Sequence, residues 1–273
     1  MDCFFINLDR ETGRRRRLEE KFNRFRTENW RLIRLPAITS QDVIENEIGG
    51  CLSPAEKACF LSHREAILNA AKGASDALIT EDDALFGAST FAVLDSILSG
   101  PDAFEADVIF TEVGIPDVET QFRLVKIKQN LPSQSPFVLM DLKGIPSFFA
   151  ASSYVVRKKS AHKLLDRLSR FATFDAPYDI ALRQLIHAGE ISAAVIFPFV
   201  TSISDDSLTS SIQAHDRRKT DAVWMAFRRM IWSDARQDEC DGLLGRLDDE
   251  IDAGSRSFGR IWALMADKSF TFK

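Results

Sequence analysis

Ala77-Leu78-Ile79-Thr80 runs without a break into Glu81-Asp82-Asp83. A short apolar run of this kind reads as a buried strand of a parallel sheet. The three carboxylates that end it then lie at the carboxyl edge of the sheet, where open α/β folds bind ligands. Leu85, Phe91, Leu94, Ile97 and Leu98 follow with helical periodicity, so the acids are expected to hand over to a helix. Adjacent carboxylates repel, and solvent or a cation must compensate; hard divalent ions such as Mn²⁺ and Mg²⁺ prefer oxygen ligands. The competing reading is an acidic helix start, with Asp82 or Asp83 as the cap and Glu81 solvated. On spacing alone the cap is the commoner arrangement.

The rest of the chain alternates in the same manner. Cys3 to Leu8 is a first apolar strand, followed by a helix with Leu18, Phe22 and Phe25 on one face. Arg14 to Arg17 fall in the first turn of that helix, where cations oppose the dipole unless an anion is near. Residues 30–35 form a second strand, and 39–52 read as a polar loop. Ser53-Pro54-Ala55-Glu56 combines a capping box with proline at the first helical position, predicting a helix that ends before Gly73. Further strands are expected at 107–111, 148–156 and 191–197, with two more candidates, 122–127 and 137–142, as a hairpin or flap. Helices are expected over 158–170 and from Pro177, with 201–211 as a loop. Residues 216–234 mix five basic side chains with Trp224, Met225, Phe227, Met230, Ile231 and Trp232. That segment is either an interfacial helix on an anionic membrane or an ordinary helix closing the core.

A length of 273 residues suits one large α/β domain or one domain with a small appendage, and a net charge of −5 argues against a general nucleic-acid binder. The four cysteines show no zinc spacing, so reduced thiols in the cytoplasm are expected. No signal peptide and no transmembrane-length apolar stretch are read. Glu56, Cys59 and His63 share one face of the helix over 53–72. A Cys-His pair at that spacing can hold a metal, but a buried, hydrogen-bonded histidine is commoner.

Several landmarks then coincide in order. Phe5-Ile6-Asn7-Leu8-Asp9-Arg10 with Arg14-Arg15 resembles the opening of glycosyltransferase family 25, which includes lipooligosaccharide galactosyltransferases. The stretch from Leu52 to His63 resembles the family's Gly-Glu-x-Gly-Cys-x-x-Ser-His pattern, with Ala55 and Ala58 in place of its glycines. Leu78 to Ala84 resembles its apolar strand ending in Glu-Asp-Asp. Ser153 to Lys158 with Ala161 to Leu165, and then Pro177-Tyr178-Asp179, resemble its later blocks, with Arg157 and Ser160 departing from the usual Ser and Gly.

The resemblance implies a GT-A-like, Rossmann-like α/β fold: a mostly parallel central sheet flanked by helices, with a helical C-terminal part. The chain is read as a transferase domain at 1–214 and a helical extension packed on it at 215–273. The resemblance implies sugar transfer, with inversion, from a UDP-sugar donor (galactose or a related hexose) to a glycan or lipid-linked glycan acceptor of the LPS or capsule type. Glu81 and Asp83 would hold Mn²⁺ or Mg²⁺. Asn7, Arg10, Arg14, Ser62, His63 and Asp82 would line the donor site. Asp179 is the first candidate for the base and Glu112 the second. The expected location is the cytoplasm, with peripheral contact at the inner membrane face through 216–234. The substituted glycines motivate the alternative, a glycosyltransferase-like binding or scaffold protein without turnover.

Overall fold

The computed structural model describes residues 1–100, 105–133, 136–171, 173–209, 218–250 and 252–265. In chain order the first half comprises β1 (Asp2–Asn7), α1 (Thr12–Phe25), β2 (Arg31–Pro36), α2 (Ser40–Glu45), α3 (Pro54–Lys72), β3 (Ala77–Glu81), β4 (Ala84–Phe86), α4 (Thr90–Ser99), β5 (Val108–Phe110) and α5 (Val118–Asn130). There follow β6 (Val138–Asp141), β7 (Ser153–Val156), α6 (Ala161–Ser169), α7 (Tyr178–His187), β8 (Ala193–Phe197) and β9 (Thr201–Ile203). Three helices close the described chain: α8 (Arg218–Ile231), α9 (Gln237–Glu250) and α10 (Ala253–Met265).

Seven strands form one sheet in the order β2-β1-β3-β7-β5-β8-β6. β1, β2, β3, β5 and β8 run one way, while β6 and β7 run against them. This is the mixed, mostly parallel α/β sheet that the sequence implies. Alternation along each strand sends side chains into two cores. Phe4 and Ile6 of β1, Ile79 of β3 and Val195 of β8 join the layer under α3, α6 and α7. Cys3, Phe5, Leu78 and Ile196 join the opposite layer with Leu18 and Phe22 of α1 and Phe91 and Leu94 of α4. Burial on both faces is why these strands read as continuous apolar runs rather than alternating ones.

α3 begins as expected, with the Ser53–Glu56 capping box in place and Pro54 as its first residue. Other expectations are corrected. No helix starts at the acids: Asp82 and Asp83 make a tight turn into β4, and α4 begins only at Thr90. The helix-cap reading of the acids therefore falls. Residues 201–203, expected in a loop, form β9, which pairs antiparallel with β4. Residues 122–127, expected as a strand, lie within α5, whose start is fixed by Asp117 accepting the Thr120 amide at 2.7 Å. The expected hairpin is absent, since β6 pairs instead with β8 at the sheet edge. Residues 40–45, read as loop, form α2 through a Thr39–Asp42 capping box.

The arginines of α1 meet protein anions. Arg14 reaches Asp82 at 3.2 Å and the Asp206 carbonyl at 2.7 Å, and Arg17 reaches the Asp206 carboxylate at 2.7 Å. Their opposition to the helix dipole is offset there. Arg157 and Lys158 hold Asp76 and the Ala71 carbonyl, before β3 begins. The expected boundary at 214/215 lies outside the described residues.

Candidate active site

Because β1, β3 and β5 run parallel, Asn7, Glu81 and Glu112 emerge at one edge of the sheet. β7 enters from the same edge, where the Glu81 amide donates to the Ser152 carbonyl at 2.8 Å. His63 of α3 lies at its centre. One ring nitrogen, Nδ1, is 3.0 Å from the Tyr154 hydroxyl, and the other, Nε2, is 3.3 Å from Glu81 Oε1. The ring stacks on Tyr178 at 4.2 Å, and the Tyr154 and Tyr178 hydroxyls are 2.7 Å apart. His63 is 1% exposed, so it is the buried, hydrogen-bonded histidine of the commoner reading, held in one orientation.

Two clefts meet at Cys59, His63 and Glu81. The larger, about 570 Å³, is lined by Asn7, Arg10, Arg14, Ser62 and Asp82. Asn7 Nδ2 donates to Asp82 at 2.7 Å, and Arg34, which sequence reasoning missed, donates to Asn7 Oδ1 at 3.0 Å. Arg10 lies exposed, 3.6 Å from Glu11. The Ser62 hydroxyl accepts from the Ile38 amide at 2.9 Å and donates to the Ala58 carbonyl at 2.8 Å, which fixes the chain locally. The smaller cleft, about 220 Å³, is lined by Asp83, Asp179, Phe149, Trp224 and Arg228 among others. Asp179, in the first turn of α7, accepts from the Ala150 amide at 2.8 Å and the Ile180 amide at 2.9 Å.

The second candidate base, Glu112, lies in an ion pair. Glu112 is wholly buried, with both carboxylate oxygens bonded by Arg228 and one also by the Ser152 hydroxyl at 2.5 Å. Arg228 was legible only as one of a basic pair, because nothing in local spacing ties it to a residue 116 positions earlier.

The three acids have different electrostatics. Burial works against the charge of Glu81, but the hydrogen bond and charge of His63, with Arg228 and Arg14, outweigh it and hold its carboxyl low. Burial pushes Asp82 up, opposed by Asn7 and Arg14. Burial, then the charges of Glu81 and Asp82, push Asp83 up to about 8. Its Oδ1 is buried with no hydrogen-bond partner, an orphaned acceptor of the type a cation or a proton satisfies. Carboxylates at Glu81 and Asp83 are hard donors and suit Mn²⁺ or Mg²⁺. Among the described residues, the group whose ligand atoms all lie within 4.8 Å of one another is Cys59, His63 and Glu81, so nitrogen and sulfur adjoin the oxygen donors.

A carboxylate-lined junction between two clefts at the carboxyl edge of an α/β sheet suits an enzyme that joins two substrates. The chain belongs to glycosyltransferase family 25, described as LPS biosynthesis proteins, whose pattern matches residues 1–182. Among solved structures it is similar to the galactosyltransferase LgtC in complex with donor and acceptor sugar analogues, at 13% identity and a TM-score of 0.39, covering 71% of this chain and 73% of that one. No curated protein matches it.

Proposed function

We propose that the protein transfers a hexose, galactose or a close relative, from a UDP-sugar to a glycan of the LPS or capsule type, with divalent-metal dependence and inversion. The observation that carries this reading is the orphaned Asp83 oxygen beside Glu81, at the junction of the clefts, in a chain of family 25. The larger cleft takes the nucleotide, with Asn7, Arg14 and Asp82 facing it and Arg10 at its rim. Glu81 and Asp83 would hold Mn²⁺ or Mg²⁺, which when bound would supply Lewis-acid neutralisation of charge on the departing diphosphate. Asp179 accepts the proton of the acceptor hydroxyl as that oxygen bonds to the anomeric carbon and the nucleoside diphosphate leaves. The amides of Ala150 and Ile180 fix the Asp179 carboxylate for that task.

In this reading residues 1–214 form the transferase domain and 215–273 an extension packed on it, in the cytoplasm. Among the described residues no helix is long and apolar enough to cross a membrane. Met225, Ile231 and Trp232 of the 216–234 segment are buried, so peripheral membrane contact there would fall to the exposed Val223 and Met230.

The test is calorimetric titration of a panel of nucleotide sugars with and without Mn²⁺. Metal-dependent binding of one UDP-sugar, abolished in Asp83→Ala, is the expected result. Metal-independent binding would remove the assigned role of the acids. Absence of binding across the panel, with no transfer or donor hydrolysis, would favour the scaffold alternative.

A further inference from the structure

We propose that the smaller cleft is a subsite for an uncharged hexopyranose, seated on Phe149 and Trp224, and that it rejects carboxylated and phosphorylated sugars. The inference rests on the transferase reading above, in which this sugar is the acceptor.

Phe149 is only half-buried, yet it is held from three directions. Its backbone pairs both ways with Gly114, at 2.8 and 2.9 Å. Its ring lies directly over Gly114, where an added Cβ would come within 2.4 Å of it. The next residue, Ala150, adopts φ +68°, a left-handed conformation that disfavours side chains, and its amide is anchored on Asp179 at 2.8 Å. Strain of this kind persists only where its surroundings enforce it, and it concentrates at ligand sites. Trp224 of α8 completes the wall, its ring 4.6 Å from that of Phe149 and tilted by 55°. Rigid, partly exposed aromatic faces suit the C–H face of a pyranose, which is flat and apolar while its hydroxyls point outward.

The polar lining selects by charge. Glu56, Glu81, Asp83 and Asp179 border the cleft, and the arginine there, Arg228, already neutralises buried Glu112. Carboxylates accept hydrogen bonds and donate none when ionised, so Glu56, Glu81 and Asp179 match sugar hydroxyls and repel sugar carboxylates or phosphates. A divalent ion on Glu81 and Asp83 would leave Glu56 and Asp179 facing the same space. Trp224 and Arg228 lie beyond the 182 residues matched to the family, so α8 adds to the lining two side chains from outside the matched region.

The test is saturation-transfer NMR titration of the full chain with methyl β-galactoside, methyl β-glucoside and methyl β-glucuronide. Calorimetry of the UDP-sugar with Mn²⁺ runs in parallel. A neutral glycoside should bind at least about tenfold more tightly than the glucuronide. Trp224→Ala and Trp224→Leu should weaken neutral-glycoside binding by about fivefold to tenfold, and Trp224→Phe should restore most of it. Trp224→Leu keeps an apolar side chain in α8, and near-ultraviolet circular dichroism checks the fold of each variant. Equal binding of the glucuronide, no binding of either neutral glycoside, or indifference to Trp224→Leu would each overturn the subsite. Loss of the nucleotide-sugar signal alone would strike the transferase reading and leave a hexoside site standing.

Discussion

Arg228 of α8 bonds both carboxylate oxygens of Glu112, just after β5, through its Nε and Nη2. Arg228 Nη2 also donates to the Ser152 hydroxyl at 2.8 Å, so one side chain ties α8 to residues flanking β5 and β7. The pair is almost fully buried, with side-chain exposures of 7% and 0%. Breaking such a pair strands an uncompensated charge, whereas replacing both partners with apolar groups can be neutral. Arg228→Met should therefore lower stability by about 3–5 kcal/mol in urea unfolding, and Arg228→Met with Glu112→Leu should recover much of it. Equal loss in the single and double variants would show that the pair contributes through packing alone.

Asp179→Asn separates chemistry from binding. Asparagine keeps a carbonyl that can accept the Ala150 amide but cannot take a proton at neutral pH. Turnover should fall by about 10²–10⁴ with donor affinity preserved. Glu112→Gln should act through stability instead, and an activity loss in Glu112→Gln at unchanged stability would reinstate it as a base.

Phe22, Phe86, Phe91 and Trp30 form one aromatic cluster between α1, β4 and α4, with Phe22 and Phe91 5.1 Å apart at 82°. Phe91 is wholly buried. Phe91→Ala should cost about 3–5 kcal/mol, read as an unchanged urea m-value with a lower midpoint.

Asp107, just before β5, is remote in the sheet from the acids at its carboxyl edge and gives a clean pH probe. Burial opposes its charge, but Lys163 at 2.7 Å, with Ser160 and the Ser192 amide, holds its carboxyl below the usual range. A carboxyl depressed by folding contributes stability above its unfolded pKa and loses it as pH falls through the folded value. The contribution should thus fade below about pH 4. Asp107→Asn should be less stable than the parent at pH 7 and should flatten the acid limb of the stability profile.

Much of this was legible in the chain itself. Strands buried on both faces leave unbroken apolar runs, so β1, β3 and β8 could be read directly, as could α3 from its capping box and proline. The order of the landmarks over residues 4–182 marked the family, and Asn7, Arg14, Asp82, His63 and Asp179 do converge on one sheet edge. α5 escaped because Phe122 and Leu124 alternate like a strand while the helix signal lay upstream, at Asp117. α2 escaped because one buried residue, Val43, is too little to show a period.

What the sequence determined by itself is what local chemistry encodes: apolar periodicity, caps, and acids at the end of a strand. Only the tertiary structure decided that the acids turn into β4 rather than cap a helix, because pairing with β9 supplies hydrogen bonds from residues more than 100 positions away. It likewise decided that Glu112 is the buried partner of Arg228. Burial and pairing are properties of distant segments meeting, and no window of neighbouring residues contains them.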